Sequence, residues 1–174
     1  MSVKATKAAA RPSRKITPFL WFDSQAEEAA RFYVSLFKNS KITGLTRYGA
    51  AGPGPAGQVM SVTFRLEGQD FMALNGGPHF KFTPAISLFI DCKTQAEVDR
   101  LWEKLSAGGR KDRCGWLQDK YGLSWQIVPT VLSQLLGDKD PAKAQRVMKV
   151  MMGMDKLDIA GLKKAARGLT TPEK

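Results

Sequence analysis

The tripeptide Gln25-Ala26-Glu27 recurs as Gln95-Ala96-Glu97, and each copy opens a helical pattern directly after an apolar strand pattern. At the same offset of 70 residues, Phe32 of the first helix matches Trp102 of the second. The turn at Gly68 and the strand after it correspond to Gly122 and its strand. A repeat set in one order of elements means two copies of a supersecondary unit, each too small to bury its own sheet alone.

The first copy begins with the aromatic-rich run Ile16–Phe22, read as a buried strand that ends at a helix cap in Asp23-Ser24. Gln25–Phe37 reads as a helix, with Ala29, Phe32, Tyr33, Leu36 and Phe37 on one stripe. Glu27 and Arg31 form an i, i+4 pair on its other face. Strands follow at Ile42–Tyr48, Val59–Leu66 and Gln69–Leu74, the first two separated by the loop GAAGPGPAG at 49–57. The second copy runs through a strand at Ala85–Ile90 and a helix capped by Thr94 and ending near Leu105. Weaker strands follow at Arg110–Arg113 and Trp116–Asp119, then a clear one at Leu123–Val128. Asp23 and Asp91 stand at equivalent strand-to-helix junctions, which suggests a capping role for both.

The expected fold is α+β. Two βαβββ modules, at about 16–75 and 85–129, form a curved mixed sheet around a cleft, with C-terminal helices added. The paired domain covers 16–136, residues 1–15 form a disordered basic arm, and 137–174 form a helical extension. Asp140 as N-cap with Pro141 at the first helical position starts one helix, and Lys156–Arg167 supplies another.

The chain has 174 residues and a formal net charge of +11, but that charge is unevenly placed. Residues 1–15 carry five basic side chains and no acid, while 139–174 carry nine basic and four acidic ones. The stretch between holds thirteen bases and twelve acids, and a nearly neutral middle speaks against a nucleic-acid groove. No apolar run is long enough to span a membrane. Two cysteines, Cys92 and Cys114, make no disulfide framework and fit a reducing, cytoplasmic setting.

Four segments resemble the vicinal-oxygen-chelate superfamily of glyoxalases, bleomycin-resistance proteins and extradiol dioxygenases. They are PFLWFDSQAEEAARFYVSLFKNSKI at 18–42, FMALNGGPHFKFTPAISL at 71–88, CGWLQDKYGLSWQIVP at 114–129 and MDKLDI at 154–159. Within it the chain is similar to the PhnB-like branch, labelled as a 3-demethylubiquinone 3-methyltransferase domain. The resemblance implies the paired-module fold, a homodimer as relatives often form, and a cleft for a small molecule. It also implies, as alternatives, glyoxalase-like or methyltransferase chemistry using cleft residues or ligands shared across a dimer. Association through the basic tails is a third class of function.

Superfamily enzymes hold a divalent metal at four strand positions, which fall near Thr17-Pro18, Pro84-Ala85, Phe71 or Met72, and Gln126. Gln126 alone offers a donor there, a neutral amide, so the expectation is no metal. No cofactor is expected either, since the only glycine-rich stretch lies between two strands and not between a strand and a helix. The expected ligand-binding cleft takes its polar points from Asn75, His79 and Gln126 and its stacking surface from Trp21, Trp116 and Trp125. His79, the chain's single histidine, is the one catalytic candidate, because an imidazole serves as acid or base near neutrality. Cys114 reads as a quiet thiol, and the stripe of Ala144, Val147, Met148 and Met151 as adaptable packing.

Overall fold

The computed structural model describes residues 14–169. The basic arm therefore lies almost wholly outside the described residues. The chain divides into two compact units that meet between Lys81 and Phe82.

In the first unit, β1 (Phe19–Phe22) leads into α1 (Ala26–Leu36), and β2 (Lys41–Arg47), β3 (Val59–Leu66) and β4 (Gln69–Asn75) complete a βαβββ module. The strands lie in the order β1-β4-β3-β2, with β1 parallel to β4 and the remaining pairs antiparallel. Period-2 alternation divides each strand between two faces. Leu20, Phe22, Val62, Phe64, Phe71 and Ala73 are buried, as are Ala26, Ala29, Ala30, Tyr33 and Leu36 of α1. Small alanines let the helix lie close to the sheet, where Phe64 stacks on Phe71 at 5.3 Å between ring centres. The Glu67-Gly68 turn is clamped by Arg65 and the buried Asp70, whose side chains meet at 2.6 Å.

The second unit repeats the plan with β5 (Ser87–Cys92), α2 (Gln95–Ser106), β6 (Arg110–Lys111), β7 (Trp116–Gln118) and β8 (Ser124–Pro129). Its strand order, β5-β8-β7-β6, matches that of the first module strand for strand. Val98, Leu101, Trp102 and Leu105 of α2 are buried with Leu117, Leu123, Trp125 and Ile127. The same unit contains α3 (Thr130–Leu136), α4 (Pro141–Met152) and α5 (Ile159–Ala166). Their core joins Val147, Leu157, Leu162 and Ala165 to Val128 and Leu132.

The extension is also tied by polar contacts. The Gln95 amide donates to Leu157 O at 3.1 Å and accepts from Ile159 N at 2.8 Å. Lys156 pairs with Asp99 at 2.7 Å. Cys114 N and Gly115 N donate to Met154 O and Asp155 O, both at 2.7 Å.

Helix starts differ between the modules, and one expectation is corrected. Thr94 caps α2 by accepting from Glu97 N, and Asp140 caps α4 with Pro141 behind it, as the spacing predicts. Asp23 and Asp91 cap nothing. The α1 start has no local side-chain cap, and Asn75, 49 residues away, accepts from Ala26 N at 2.7 Å. The α1 start thus borrows its cap from the end of β4, because parallel pairing sets Asn75 beside Phe22, just before the helix.

Candidate functional site

The β2–β3 connection lines a cavity of the first unit. A register irregularity between Thr46 and Arg47 turns the end of β2, and irregularities of this kind re-aim the side chains beside them. Tyr48 follows, closing the loop through backbone bonds with Gly57 and Gln58 at 2.9 Å each. Its ring lies against the loop: a Cβ on Gly54 would come within 2.5 Å of it, and one on Gly52 within 2.8 Å. The Tyr48 hydroxyl donates to Asn75 O at 2.6 Å. The glycine-rich stretch is thus a cover folded over an aromatic post.

The cavity has a volume of about 810 Å³, within the range of small-molecule sites. It is bounded by Asp23 and Glu27 at the start of α1, by Arg47, Tyr48 and the 53–58 loop, and by Asn75 and His79 after β4. Asn75 is held at both ends of its amide, since its Nδ2 also donates to Val59 O at 3.0 Å. Glu27 is matched by Arg31 at 2.6 Å. Arg47 uses one nitrogen on Gly57 O at 2.9 Å and keeps the rest of its donor fork available. Arg47, Asp23 and His79 are exposed lining groups, so the cavity presents a guanidinium, a carboxylate and an imidazole among its lining.

The structure gathers three of the sequence candidates here. Trp21 Nε1 donates to Gly77 O at 2.9 Å, and its ring meets Phe80 edge-on at 4.9 Å. Gly76 is packed so closely on the indole that no side chain fits there. Trp21 therefore holds the Asn75–Phe80 turn that carries His79. Asp23, Glu27, Arg47 and Tyr48 were missed by the sequence reading. An aromatic immediately before a glycine-rich hairpin loop was the available signal.

In the second unit, Trp116 and Gln126 are paired across β7 and β8. Gln126 Nε2 donates to Ser87 Oγ at 2.8 Å, and its neighbour on β5 is Phe89, 55% exposed. Trp125 is corrected: at 2% exposure it belongs to the core, not to a cleft wall. Its Nε1 donates to the buried Asp119 at 2.8 Å. Asp119 in turn accepts from Tyr121 N and Leu123 N, so it fastens the β7–β8 turn. Residue alternation explains the error, since a continuous apolar strand does not disclose which face each residue takes.

The family's model for 3-demethylubiquinone-9 3-methyltransferase matches residues 14–128. The chain belongs to that PhnB-like family. It is 43% identical to the PhnB protein of Bacillus cereus, covering 67% of this chain and 99% of that one, with a TM-score of 0.62. A Pseudomonas aeruginosa protein, PA1353, shares the fold at 22% identity and a TM-score of 0.54, over 65% of this chain and 95% of that one. Among proteins with curated functions, none matches this chain. The family's match ends at Val128, so α3, α4 and α5 lie beyond it.

Neither group that these kinships imply fits the residues present. The metal positions that the superfamily resemblance implies fall near Thr17, Pro18, Met72, Pro84 and Ala85, none an effective ligand, and near the buried Phe71. Gln126 offers only an amide, already turned to Ser87. Among the described residues, no group of three His, Cys, Asp or Glu could hold a metal. A methyl donor of the nucleoside type favours a glycine turn between strand and helix, whereas this glycine loop joins antiparallel strands and is packed on Tyr48.

Proposed function

We propose that this PhnB-like protein binds a small polar molecule in the first-module cavity, through Arg47, Asp23 and His79. The observation that carries the reading is the division of labour in the lining. Asn75 and Tyr48 are committed to the scaffold, whereas Arg47 and His79 face an 810 Å³ space with donor capacity left over. An acidic group suits the Arg47 fork, and a hydroxyl or amine on the same molecule suits Asp23. His79 is then the group able to exchange a proton with the ligand, without any metal. Trp116 and Gln126 are proposed as ligand-facing groups of the second module. A cytoplasmic homodimer is part of the same reading, and no described helix is long and apolar enough to cross a membrane.

The test is a thermal-shift screen of small hydroxy acids, amino acids and aromatic acids, followed by calorimetry on the hits. Arg47→Gln should weaken a true ligand at least tenfold, and His79→Gln should weaken it less. Hits indifferent to both substitutions would place binding elsewhere and overturn the reading.

A further inference from the structure

The C-terminal extension carries four methionines in seven residues, Met148, Met151, Met152 and Met154. Two have an evident packing role. Met151 and Met154 are partly buried against the apolar cluster of the extension. The other two point outward: Met148 is 43% exposed and Met152 is 53% exposed, four residues apart on one face of α4. Large apolar side chains left in water one turn apart are not explained by the core.

A thiol lies beside them. Cys114 Sγ is 3.7 Å from Met152 Sδ and 3.7 Å from Met151 O. The loop that bears it is pinned, because Cys114 N and Gly115 N both bond to the backbone of 154–155 at 2.7 Å. An ion held about 2.3 Å from each sulfur, a usual metal–thiolate length, would subtend an angle of about 110° between the two. The two sulfurs therefore stand at a separation that one shared ion can bridge.

We propose that Cys114 and Met152, with Met148 one turn away on the same face, form a binding site for a soft monovalent ion, Cu(I). The choice of ion follows from the donors. Thiolate and thioether sulfur select Cu(I), whereas imidazole and carboxylate are the donors that zinc and harder ions require. No cluster of those donors exists among the described residues. Coordination replaces the thiol proton, which leaves to solvent, and no electron is transferred. The resulting thiolate–Cu(I) unit is neutral, which suits a half-buried position. This site lies in the second unit and is independent of the cavity at Arg47.

The experiment uses the full chain, reduced and kept anaerobic, with Cu(I) supplied in competition with bicinchoninate. One Cu(I) per chain is expected, with near-ultraviolet thiolate-to-copper absorption and one proton released. Cys114→Ser should abolish this binding. Met152→Leu keeps the volume of an exposed side chain while removing its sulfur, and should weaken binding at least tenfold. Met148→Leu should weaken it several-fold. Cys92→Ser should change nothing, since Cys92 is fully buried. Unaltered melting of the Met152→Leu protein would show that the fold is intact. Wild-type affinity in Cys114→Ser, or no loss in Met152→Leu, would overturn the proposal, as would Zn(II) binding as tightly as Cu(I).

Discussion

The hydroxyl of Tyr48 donates to the backbone carbonyl of Asn75 at 2.6 Å, joining the end of β2 to the end of β4, and both residues line the cavity. The Asn75 side chain continues the chain of bonds to Ala26 N and Val59 O. One residue thus links α1, β3, β4 and the glycine-rich cover. Asn75→Ala removes a helix cap and leaves Val59 O without this donor. The loss should be about 1–2 kcal/mol, read as a lowered Tm, with lower ligand affinity as the cavity loosens.

The cover should tolerate substitution unevenly. Gly49→Ala meets nothing within 4 Å and should leave stability and ligand binding unchanged. Gly54→Ala drives a methyl into the Tyr48 ring at 2.5 Å, so either the loop or the ring must move. Ligand affinity should fall by tenfold or more while the core keeps its melting temperature within a few degrees. Equal behaviour of the two variants would show that the packing of the loop on Tyr48 does not shape the cavity.

Gln95 and Gln25 occupy the same repeat position but do different work. Gln95 spans from Asp99 to Leu157 and Ile159, whereas the Gln25 side chain reaches only the neighbouring Ser24 N. Gln95→Ala should destabilise by about 1–3 kcal/mol, because Leu157 O and Ile159 N lose their partner. It should also speed proteolysis near residues 153–158. Gln25→Ala should be silent in both assays.

The two thiols should separate cleanly in a reactivity assay. Burial pushes the Cys92 thiol up to about 12, with Glu97 and Asp91 adding to the effect. Cys92 therefore stays a neutral thiol in the folded protein, while Cys114 is only half-buried. A thiol reagent should titrate one group in the native protein and two after denaturation, and none natively in Cys114→Ser. The neutral buried thiol favours the fold fully below the unfolded value near 9.0, and that contribution declines as pH rises toward 12.

Acid should loosen the extension through Asp99. Hydrogen bonds from Lys156 first, and Gln95 second, hold its carboxyl below the ordinary 3.8. The Lys156 ammonium is correspondingly raised, with Glu103 and Asp158 also acting on it. A depressed carboxyl contributes stability above its unfolded value and loses it as pH falls through the folded one. Both partners are well exposed, so the effect should be modest and reduced by salt. Asp99→Asn should flatten that part of the acid limb of the stability profile; an unchanged acid limb would assign the loss to other carboxylates.

Much of the architecture was legible because it is local. Strand alternation, the caps at Thr94 and Asp140, and the repeated tripeptide all act within a few residues of themselves. The errors share a cause as well. Asp23 had the composition and position of a cap, but pairing of β1 with β4 delivered Asn75 instead. Trp125 has the composition of a cleft aromatic, but its face depends on a register that no run of apolar residues encodes. Arg47 and Tyr48 came to line the cavity through the fold of a loop whose glycines suggested only a turn.

The unequal capping of the two helices has a consequence for the order of assembly. Everything α2 needs to start lies between Lys93 and Glu97, including the Glu97 carboxylate that accepts from Lys93 N. That nucleus can form while the rest of the chain is still unstructured. The start of α1 is completed only when β4 has docked, a contact that spans 49 residues and carries the entropy of closing that loop. Two nearly identical architectures are thus wired for different timing, with the second helix an early event and the α1 side of the first-module cavity a late one.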